Sequence, residues 1–370
     1  MTTSVLLAGG GTAGHVSPLL ALADCLRRRN PAMTVTVLGT AEGLEARLVP
    51  AHGYELRTVP KVPLPRRPGP DLVRLPGRLR GAVRAAADAV QQSGADVVVG
   101  FGGYVAAPAY LAARRRGVPI VVHEQNPLPG VANRLGARLT RFVATTFPDT
   151  KLAHSVHTGM PLRHQISSLA SLTVDERAAR QMSARAALGL DRDRTTLLVT
   201  GGSLGAQRLN ETFGAAAADL RAAGVQVLHV SGTGKQVDVE PAVDGQAPYV
   251  VLPYADRMDE AYLAADLVVC RAGANTVCEL ATVGLPAAYV PLPIGNGEQR
   301  LNAEPVVAAG GGLLVDDVGC TPDWVRQVLL PLLADPTSLH AMGEAATRFV
   351  VPDADERLAD LVLSAAGSRS

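Results

Sequence analysis

The chain has 370 residues, 47% hydrophobic and 19% charged, with 35 Lys plus Arg against 34 Asp plus Glu for a net charge of +1. That length exceeds what one hydrophobic core serves, and the apolar content is too high for a disordered or fibrous chain, so two globular domains are expected. The near-neutral total gives no support to a general nucleic-acid binder, and Cys25, Cys270, Cys278 and Cys320 form no CxxC pair that would indicate a disulfide framework or a zinc ribbon.

Met1-Thr-Thr-Ser-Val lacks the charged and apolar regions of a signal peptide, so the chain is read as starting directly with a strand, Ser4 to Ala8. A helix from about Val16 to Arg29 and a strand over Thr34 to Leu38 follow. Between the first strand and its helix, Gly9, Gly11 and Gly14 satisfy GxGxxG, the turn that brings a helix N-terminus and backbone N–H groups to an anionic ligand. The acidic residue that would hold a ribose is missing, because the second strand ends Leu38-Gly39-Thr40, which argues against NAD or FAD. His15 at the mouth of the turn is either a packing histidine of the helix start or, by its pKa range, a general base.

Further along, a strand over Asp96 to Val99 leads into a second glycine turn, Gly100-Phe-Gly-Gly103, then a helix around Ala106 to Arg116 and a strand over Pro119 to His123. The uncharged stretches 97–113 and 280–297 approach membrane-spanning length, but Gly102, Gly103 and Pro108 break one and Gly284, Pro286, Pro291 and Pro293 the other, so both are read as buried strand plus loop. His123-Glu-Gln-Asn126 and Gly159-Met-Pro-Leu-Arg163 are polar clusters. Arg163 either meets a phosphate or carboxylate or forms a surface pair. His154 and His157 have no third ligand nearby, and no structural metal is predicted.

The pattern then restarts. Leu197 to Gly205 repeats the form of Val5 to Gly14 about 190 residues later, so two Rossmann-like α/β halves are expected, joined near Pro161 to Gln165. Ser231-Gly-Thr-Gly-Lys235 lacks P-loop spacing, which removes ATP hydrolysis. After a strand over Asp266 to Val269, Cys270-Arg-Ala-Gly-Ala-Asn-Thr-Val-Cys-Glu279 turns at Gly273 into a helix start suited to a diphosphate. Glu279, three residues past Thr276, is placed to accept both hydroxyls of a ribose; the alternative is an ordinary N-cap with a first-turn acid. The loop Ile294 to Asn302 supplies Gln299 and Asn302, amides suited to sugar hydroxyls. A last amphipathic helix follows Pro352.

Taken together, GGGTAGH at Gly9 to His15, GFGGYVAAP at Gly100 to Pro108, HEQN at His123 to Asn126, GGSLGAQRLN at Gly201 to Asn210 and CRAGANTVCE at Cys270 to Glu279 resemble the MurG family. Its members are bacterial UDP-N-acetylglucosamine:lipid I N-acetylglucosaminyltransferases of peptidoglycan synthesis. The resemblance implies a GT-B fold, with two Rossmann-like doubly wound parallel-sheet domains facing across a cleft. An acceptor and membrane-associating domain would span 1–162, with a C-terminal helix of about 353–368 packing back on it, and a UDP-GlcNAc-binding domain would span 163–352. It implies transfer with inversion to the 4-hydroxyl of N-acetylmuramic acid on lipid I. By motif, Thr12, Ala13 and Gly14 form the first ligand loop, Asn126 contacts donor or acceptor, and Arg163 and Ser203 lie near the donor diphosphate. Ala274, Asn275, Thr276, Val277, Cys278 and Glu279 hold phosphate and ribose, Gln299 binds the transferred sugar, and His15 is the catalytic base. No cofactor is required, although Mg²⁺ could assist the leaving diphosphate. Ala13 stands where the family often has Gly, Met160 interrupts a Gly-Asn-Pro pattern, and Glu298 replaces a frequent Gln or Asp.

Charge adds a location. Residues 1–164 carry 20 basic and 9 acidic side chains, a net +11, whereas the remainder carries 15 and 25, a net −10. Within 57–84, Arg57, Lys61, Arg66, Arg67, Arg74, Arg78, Arg80 and Arg84 alternate with Leu64, Leu72, Val73, Leu75 and Leu79, a composition suited to an anionic membrane surface or to a solvated loop plus core helix. A peripheral position on the cytoplasmic side of the cell membrane is expected. The rival activities are another GT-B UDP-sugar transferase, a non-hydrolysing UDP-sugar epimerase and a non-catalytic sugar-nucleotide-binding subunit.

Overall fold

The computed structural model describes residues 3–62, 70–202 and 205–368, with side chains of 70–74 excepted. Two compact units share the chain, Met1–Arg163 with Val351–Ser370, and His164–Val350.

In the first unit, β1 (Ser4–Ala8), α1 (Ala13–Arg29), β2 (Thr34–Gly39), α2 (Glu45–Ala51), β3 (Glu55–Thr58), α3 (Pro70–Gln92), β4 (Val97–Gly100), α4 (Gly103–Arg116), β5 (Ile120–Glu124), α5 (Val131–Ala137), β6 (Phe142–Thr145) and β7 (Ser155–His157) alternate strand and helix. The strands form one parallel sheet in the order β3-β2-β1-β4-β5-β6-β7, with Val5 opposite Val97 and Ala8 opposite Gly100. Alternation across the pleat assigns each β1 side chain to a face: Val5 and Leu7 join one apolar cluster, Leu6 and Ala8 the other. The stretch 97–113 is therefore β4, a turn and most of α4, which begins a few residues before the expected Ala106 and keeps Pro108 inside it.

The second unit repeats the plan. Helices α6 (His164–Ser167) and α7 (Val174–Ala187) precede β8 (Thr196–Thr200), α8 (Gln207–Ala215), α9 (Ala217–Ala222), β9 (Gln226–Val230), β10 (Tyr249–Leu252), α10 (Met258–Ala264), β11 (Leu267–Cys270), α11 (Ala274–Val283), β12 (Ala287–Tyr289), α12 (Glu298–Ala308) and β13 (Gly312–Leu314). Helices α13 (Pro322–Trp324), α14 (Leu330–Leu333) and α15 (Pro336–Thr347) close it. Its parallel sheet runs β10-β9-β8-β11-β12-β13. Leu197 and Val199 face one core and Leu198 the other.

The final helix, α16 (Ala354–Gly367), belongs to the first unit. Leu358, Ala359, Val362 and Ala365 are fully buried in the cluster that holds Val5, Leu19 and Leu22. Arg28 meets Asp355 at 2.7 Å and Arg29 meets Asp360 at 2.7 Å, so ion pairs flank the apolar stripe.

In both sheets the strand order reverses direction once, between β1 and β4 and between β8 and β11. Such switch points open a crevice at the carboxyl ends of the strands, because the helices that follow leave to opposite faces. The glycine turns after β1 and β4, and those after β8 and β11, flank these two points.

Candidate active site

The first unit builds its crevice around His15. Thr12 is the N-cap of α1, but its hydroxyl makes no capping bond; it lies 3.1 Å from His15 Nδ1. The ring rests against the start of α4. Gly102 and Gly103 there have φ of +92° and +73°; a Cβ on Gly102 would lie 3.2 Å from His15 Nε2, and one on Gly103 would lie 2.9 Å from the Gly10 carbonyl. Two glycines thus let α4 approach the histidine. Burial holds the His15 pKa below the ordinary value, against the Gly10 carbonyl bond and the Glu45 charge, which both favour the proton. The ring is neutral at physiological pH and able to accept a proton.

Of the four HEQN residues, three face inward. His123 is fully buried, with Nε2 3.2 Å from the Gly159 carbonyl and Nδ1 3.0 Å from Gln125 Nε2. Burial lowers its pKa to about 4, so it stays neutral and structural. Glu124 accepts from the Asn126 N–H at 3.0 Å, the Gly130 N–H at 2.9 Å and Asn133 Nδ2 at 2.9 Å, while burial raises its pKa against those donors. Asn133 is held in turn by the Tyr110 hydroxyl at 2.7 Å and borders Gly102, so one buried network links the His15 pocket to the loop that presents Asn126. Asn126 is partly exposed, with its carbonyl accepting from the Thr150 hydroxyl at 3.2 Å. Thr12 and Gly14 are exposed, Ala13 is partly exposed, and Arg163, partly exposed, ends the unit.

In the second unit, Gly273 is the N-cap of α11, and the Val277 N–H bonds the Gly273 carbonyl at 3.0 Å. The start of α11 at Ala274, Asn275 and Thr276 therefore has the geometry of an anion site. The side chains of Val277 and Cys278 are buried, Val277 in the apolar core, so any part they play runs through the backbone. Glu279 is buried, and its Oε2 accepts from the Tyr262 hydroxyl at 2.8 Å. The Tyr262 hydroxyl thus orients the carboxylate, which has further lone pairs to accept hydroxyls. Gln299 accepts from the Leu292 N–H at 2.9 Å through Oε1, which leaves its Nε2 to donate. Asn302 is a correction: it is fully buried and donates to the Ala272 carbonyl at 3.0 Å, bracing the β11–α11 turn instead of meeting a sugar. Ser203 lies outside the described residues.

Sequence reasoning missed Arg271. Its Nη1 donates to the Val290 and Pro291 carbonyls, both at 3.1 Å, and pairs with Asp317 at 2.6 Å, which ties the end of β12 to the turn before α11. A cavity of about 510 Å³ lined by Ser231, Lys235, Gln236 and Val251 lies beside Gly205 of the β8–α8 turn, whose Cβ would meet the Ser231 carbonyl. Among the described residues, the one grouping of His, Cys, Asp and Glu ligand atoms close enough to share a metal is Cys25, Asp355 and Glu356, and Arg28 and Arg29 already neutralise both carboxylates.

Residues 5–145 match the model of the glycosyltransferase family 28 N-terminal domain, and residues 196–358 match that of the family 28 C-terminal domain. A relative from Streptomyces coelicolor named UDP-N-acetylglucosamine--N-acetylmuramyl-(pentapeptide) pyrophosphoryl-undecaprenol N-acetylglucosamine transferase is 56% identical over 366 residues, 99% of each chain. One of the same name from Nocardioides sp. is 59% identical over 360 residues, 97% of each. The crystal structure of Acinetobacter baumannii MurG superposes with a TM-score of 0.74 at 29% identity, covering 98% of this chain and 99% of that one. With full-length identity at that level and a domain model matching each of the two sheets, the chain belongs to the MurG family of glycosyltransferase family 28 and has the GT-B fold.

Proposed function

We propose that this protein transfers N-acetylglucosamine from UDP-N-acetylglucosamine to the 4-hydroxyl of N-acetylmuramic acid on lipid I, an undecaprenyl-diphosphate-linked muramyl-pentapeptide, giving lipid II for peptidoglycan. The observation that carries the reading is identity above half along nearly the whole length with relatives of that name. In this mechanism His15 takes the hydroxyl proton as the oxygen bonds to the anomeric carbon from the face opposite the diphosphate. The anomeric C–O bond breaks, its electron pair leaves on UDP, and configuration inverts. The first-turn N–H groups of α11 stabilise the charge that develops on the leaving diphosphate. Glu279 holds the ribose, and Gln299 donates to the transferred sugar. Asn126, Arg163 and Ser203 complete the ligand contacts. A neutral imidazole beside two glycines and a helix start with glycine at its N-cap suit these roles.

No cofactor takes part in this reading, and Mg²⁺ at the diphosphate is optional, so transfer is expected to persist in EDTA. The enzyme works at the cytoplasmic face of the membrane. No helix among the described residues is long and apolar enough to cross a bilayer. What supports surface binding is α3, whose Val83, Ala86 and Val90 are buried while Arg78, Arg80 and Arg84 are exposed. The Lys61 ammonium sits 5.7 Å from the ring of exposed Tyr104. Leu64, Arg66 and Arg67 lie outside the described residues, as do the side chains of Leu72, Val73 and Arg74.

One assay decides the activity. With UDP-N-acetylglucosamine and a short-chain lipid I analogue, UDP is released only when the analogue is present. An isomerised sugar nucleotide formed without acceptor would indicate an epimerase, and binding without turnover a non-catalytic subunit. Sedimentation with anionic vesicles tests the location: binding falls with salt, and an absence of binding refutes the surface claim.

A further inference from the structure

A nucleotide-binding βαβ unit ordinarily ends its second strand on an acidic residue. β2 ends on Gly39, followed by Thr40, yet an acidic group reaches the same place by another route. Glu45, the first residue of α2, is fully buried, and its carboxylate turns back into the Gly9–Gly14 turn. Oε2 accepts the Gly11 N–H at 2.8 Å, and Oε1 accepts the N–H and the hydroxyl of Thr40 at 2.8 and 2.7 Å. Three glycines make room for it: a Cβ on Gly10 would lie 2.2 Å from Oε1, one on Gly43 2.1 Å from Oε2, and one on Gly39 2.5 Å from Cγ. None of the three has positive φ, so the backbone does not demand glycine there; the carboxylate does.

Burying a carboxylate costs several kcal/mol unless its lone pairs are met, and three short, charge-assisted bonds meet them here. Burial alone would raise the pKa of Glu45, but the donors on Gly11 and Thr40 prevail and hold it below the usual carboxylate value. An internal anion therefore sits where the N–H groups of such a turn meet an external phosphate in nucleotide-binding relatives of the fold.

We propose that Glu45 is a positioning residue of the transfer reaction, an internal anion that fixes the Gly9–Gly14 turn and with it the His15 ring. The proposal rests on the reading of His15 as the base. Gly10 connects the two groups, because it packs on the carboxylate while its carbonyl accepts from the imidazole. The other elements facing the ring bring neutral groups, namely Thr12 of the turn, Gly102 and Gly103 at the start of α4 and Asn133 beside Gly102 on α5. Among the described residues, the charge acting on the ring is that of Glu45, and it favours the protonated form. Removing that charge lowers the proton affinity of His15, and the acidic limb of the rate profile, which reports the free base, moves to lower pH.

The test measures kcat/KM against pH for the full chain with UDP-N-acetylglucosamine and a lipid I analogue, on variants whose thermal melts show them folded. Glu45→Gln is expected to lose about 10- to 100-fold in kcat/KM, the scale of a displaced catalytic group, with its acidic limb displaced to lower pH. Glu45→Asp keeps the charge but retracts it by one methylene, so the rate falls while the limb follows the parent more closely. Glu45→Gln at the parent rate, or slowed with an unmoved limb, overturns the proposal. If Glu45→Gln does not fold, Glu45→Asp carries the test, and the parent rate at every pH overturns it. His15→Asn separates the two ideas: an acidic limb that survives it refutes His15 as the base and the Glu45 proposal with it, whereas a limb lost in His15→Asn but unmoved in Glu45→Gln overturns the Glu45 proposal alone.

Discussion

Apart from His15, each unit buries one neutral histidine, and this shapes its behaviour in acid. His123 in the first unit and His229 in the second are fully buried, and burial lowers both pKa values to about 4. His229 lies on β9 with Nδ1 2.8 Å from the Tyr249 hydroxyl and Nε2 3.0 Å from Asn210 Oδ1, so no carboxylate compensates a charge there. Unfolded, each ring titrates near 6.5. Above that pH neither state binds the proton and the contribution is level; below it the unfolded chain takes up a proton that the native ring refuses, and stability falls until the pH nears the folded value. A gap of about 2.5 units is worth about 3 kcal/mol per ring when fully expressed, and about 2 kcal/mol at pH 5. The second unit is the cleaner readout. It holds the sole tryptophan, Trp324, so urea unfolding followed by tryptophan fluorescence reports it directly. In the first unit Glu124, with its raised pKa, works in the opposite direction at lower pH. The expected result is a fall of about 2 kcal/mol in the second unit between pH 7 and pH 5, most of it missing in His229→Gln. An equal fall in that variant would refute the assignment of the acid sensitivity to His229.

Three further outcomes follow from particular contacts. Tyr262→Phe removes one hydrogen bond to Glu279, worth about 0.5–1.5 kcal/mol, so steady-state kinetics should show KM for UDP-N-acetylglucosamine raised about 3- to 10-fold with kcat little changed; an unaltered KM removes Glu279 from the donor site. Gly103→Ala puts a Cβ 2.9 Å from the Gly10 carbonyl at a φ of +73°, which should lower stability by about 1–3 kcal/mol in thermal melts and reduce kcat/KM at least tenfold. Leu358→Ala in α16 empties a fully buried site, with an expected cost to the first unit of about 2–5 kcal/mol in denaturant titration, and the second unit's transition unmoved.

The strands beside the switch points were legible because they are buried on both faces and read as unbroken apolar runs: β1, β8 and β11 end within a residue of where their patterns end. The edges were not. β3 is Glu-Leu-Arg-Thr and β7 is Ser-Val-His, short and largely exposed, so no hydrophobic period distinguishes them from loops. The same divide runs through the site. Glycine turns and a helix start at Gly273 are local, and local sequence carries them. Glu45, Arg271 and Asn302 act through partners 34, 19 and 30 residues away, so their roles become visible only when the chain closes. Asn302 was misread for that reason, since an exposed amide and a bracing amide look alike in sequence. For Glu45 a signal existed in Gly39 and Gly43, two glycines flanking a short loop without the positive φ that would otherwise explain them.

The two halves also show how one motif serves different chemistry. After β1 and after β11 the chain turns at glycine into a helix at a switch point, and either turn alone invites a nucleotide. After β1 a carboxylate already takes the Gly11 N–H, and a phosphate brought there would meet that charge in a buried setting, a repulsion of several kcal/mol even at an effective dielectric of about 20. After β11 the N-cap is Gly273, which brings no side chain of its own, and Asn302 braces the turn through the Ala272 carbonyl. The Gly11 N–H is thus unavailable to an external anion, whereas His15 stands beside it at the mouth of the turn. One buried carboxylate therefore distinguishes the turn after β1 from the otherwise similar turn after β11.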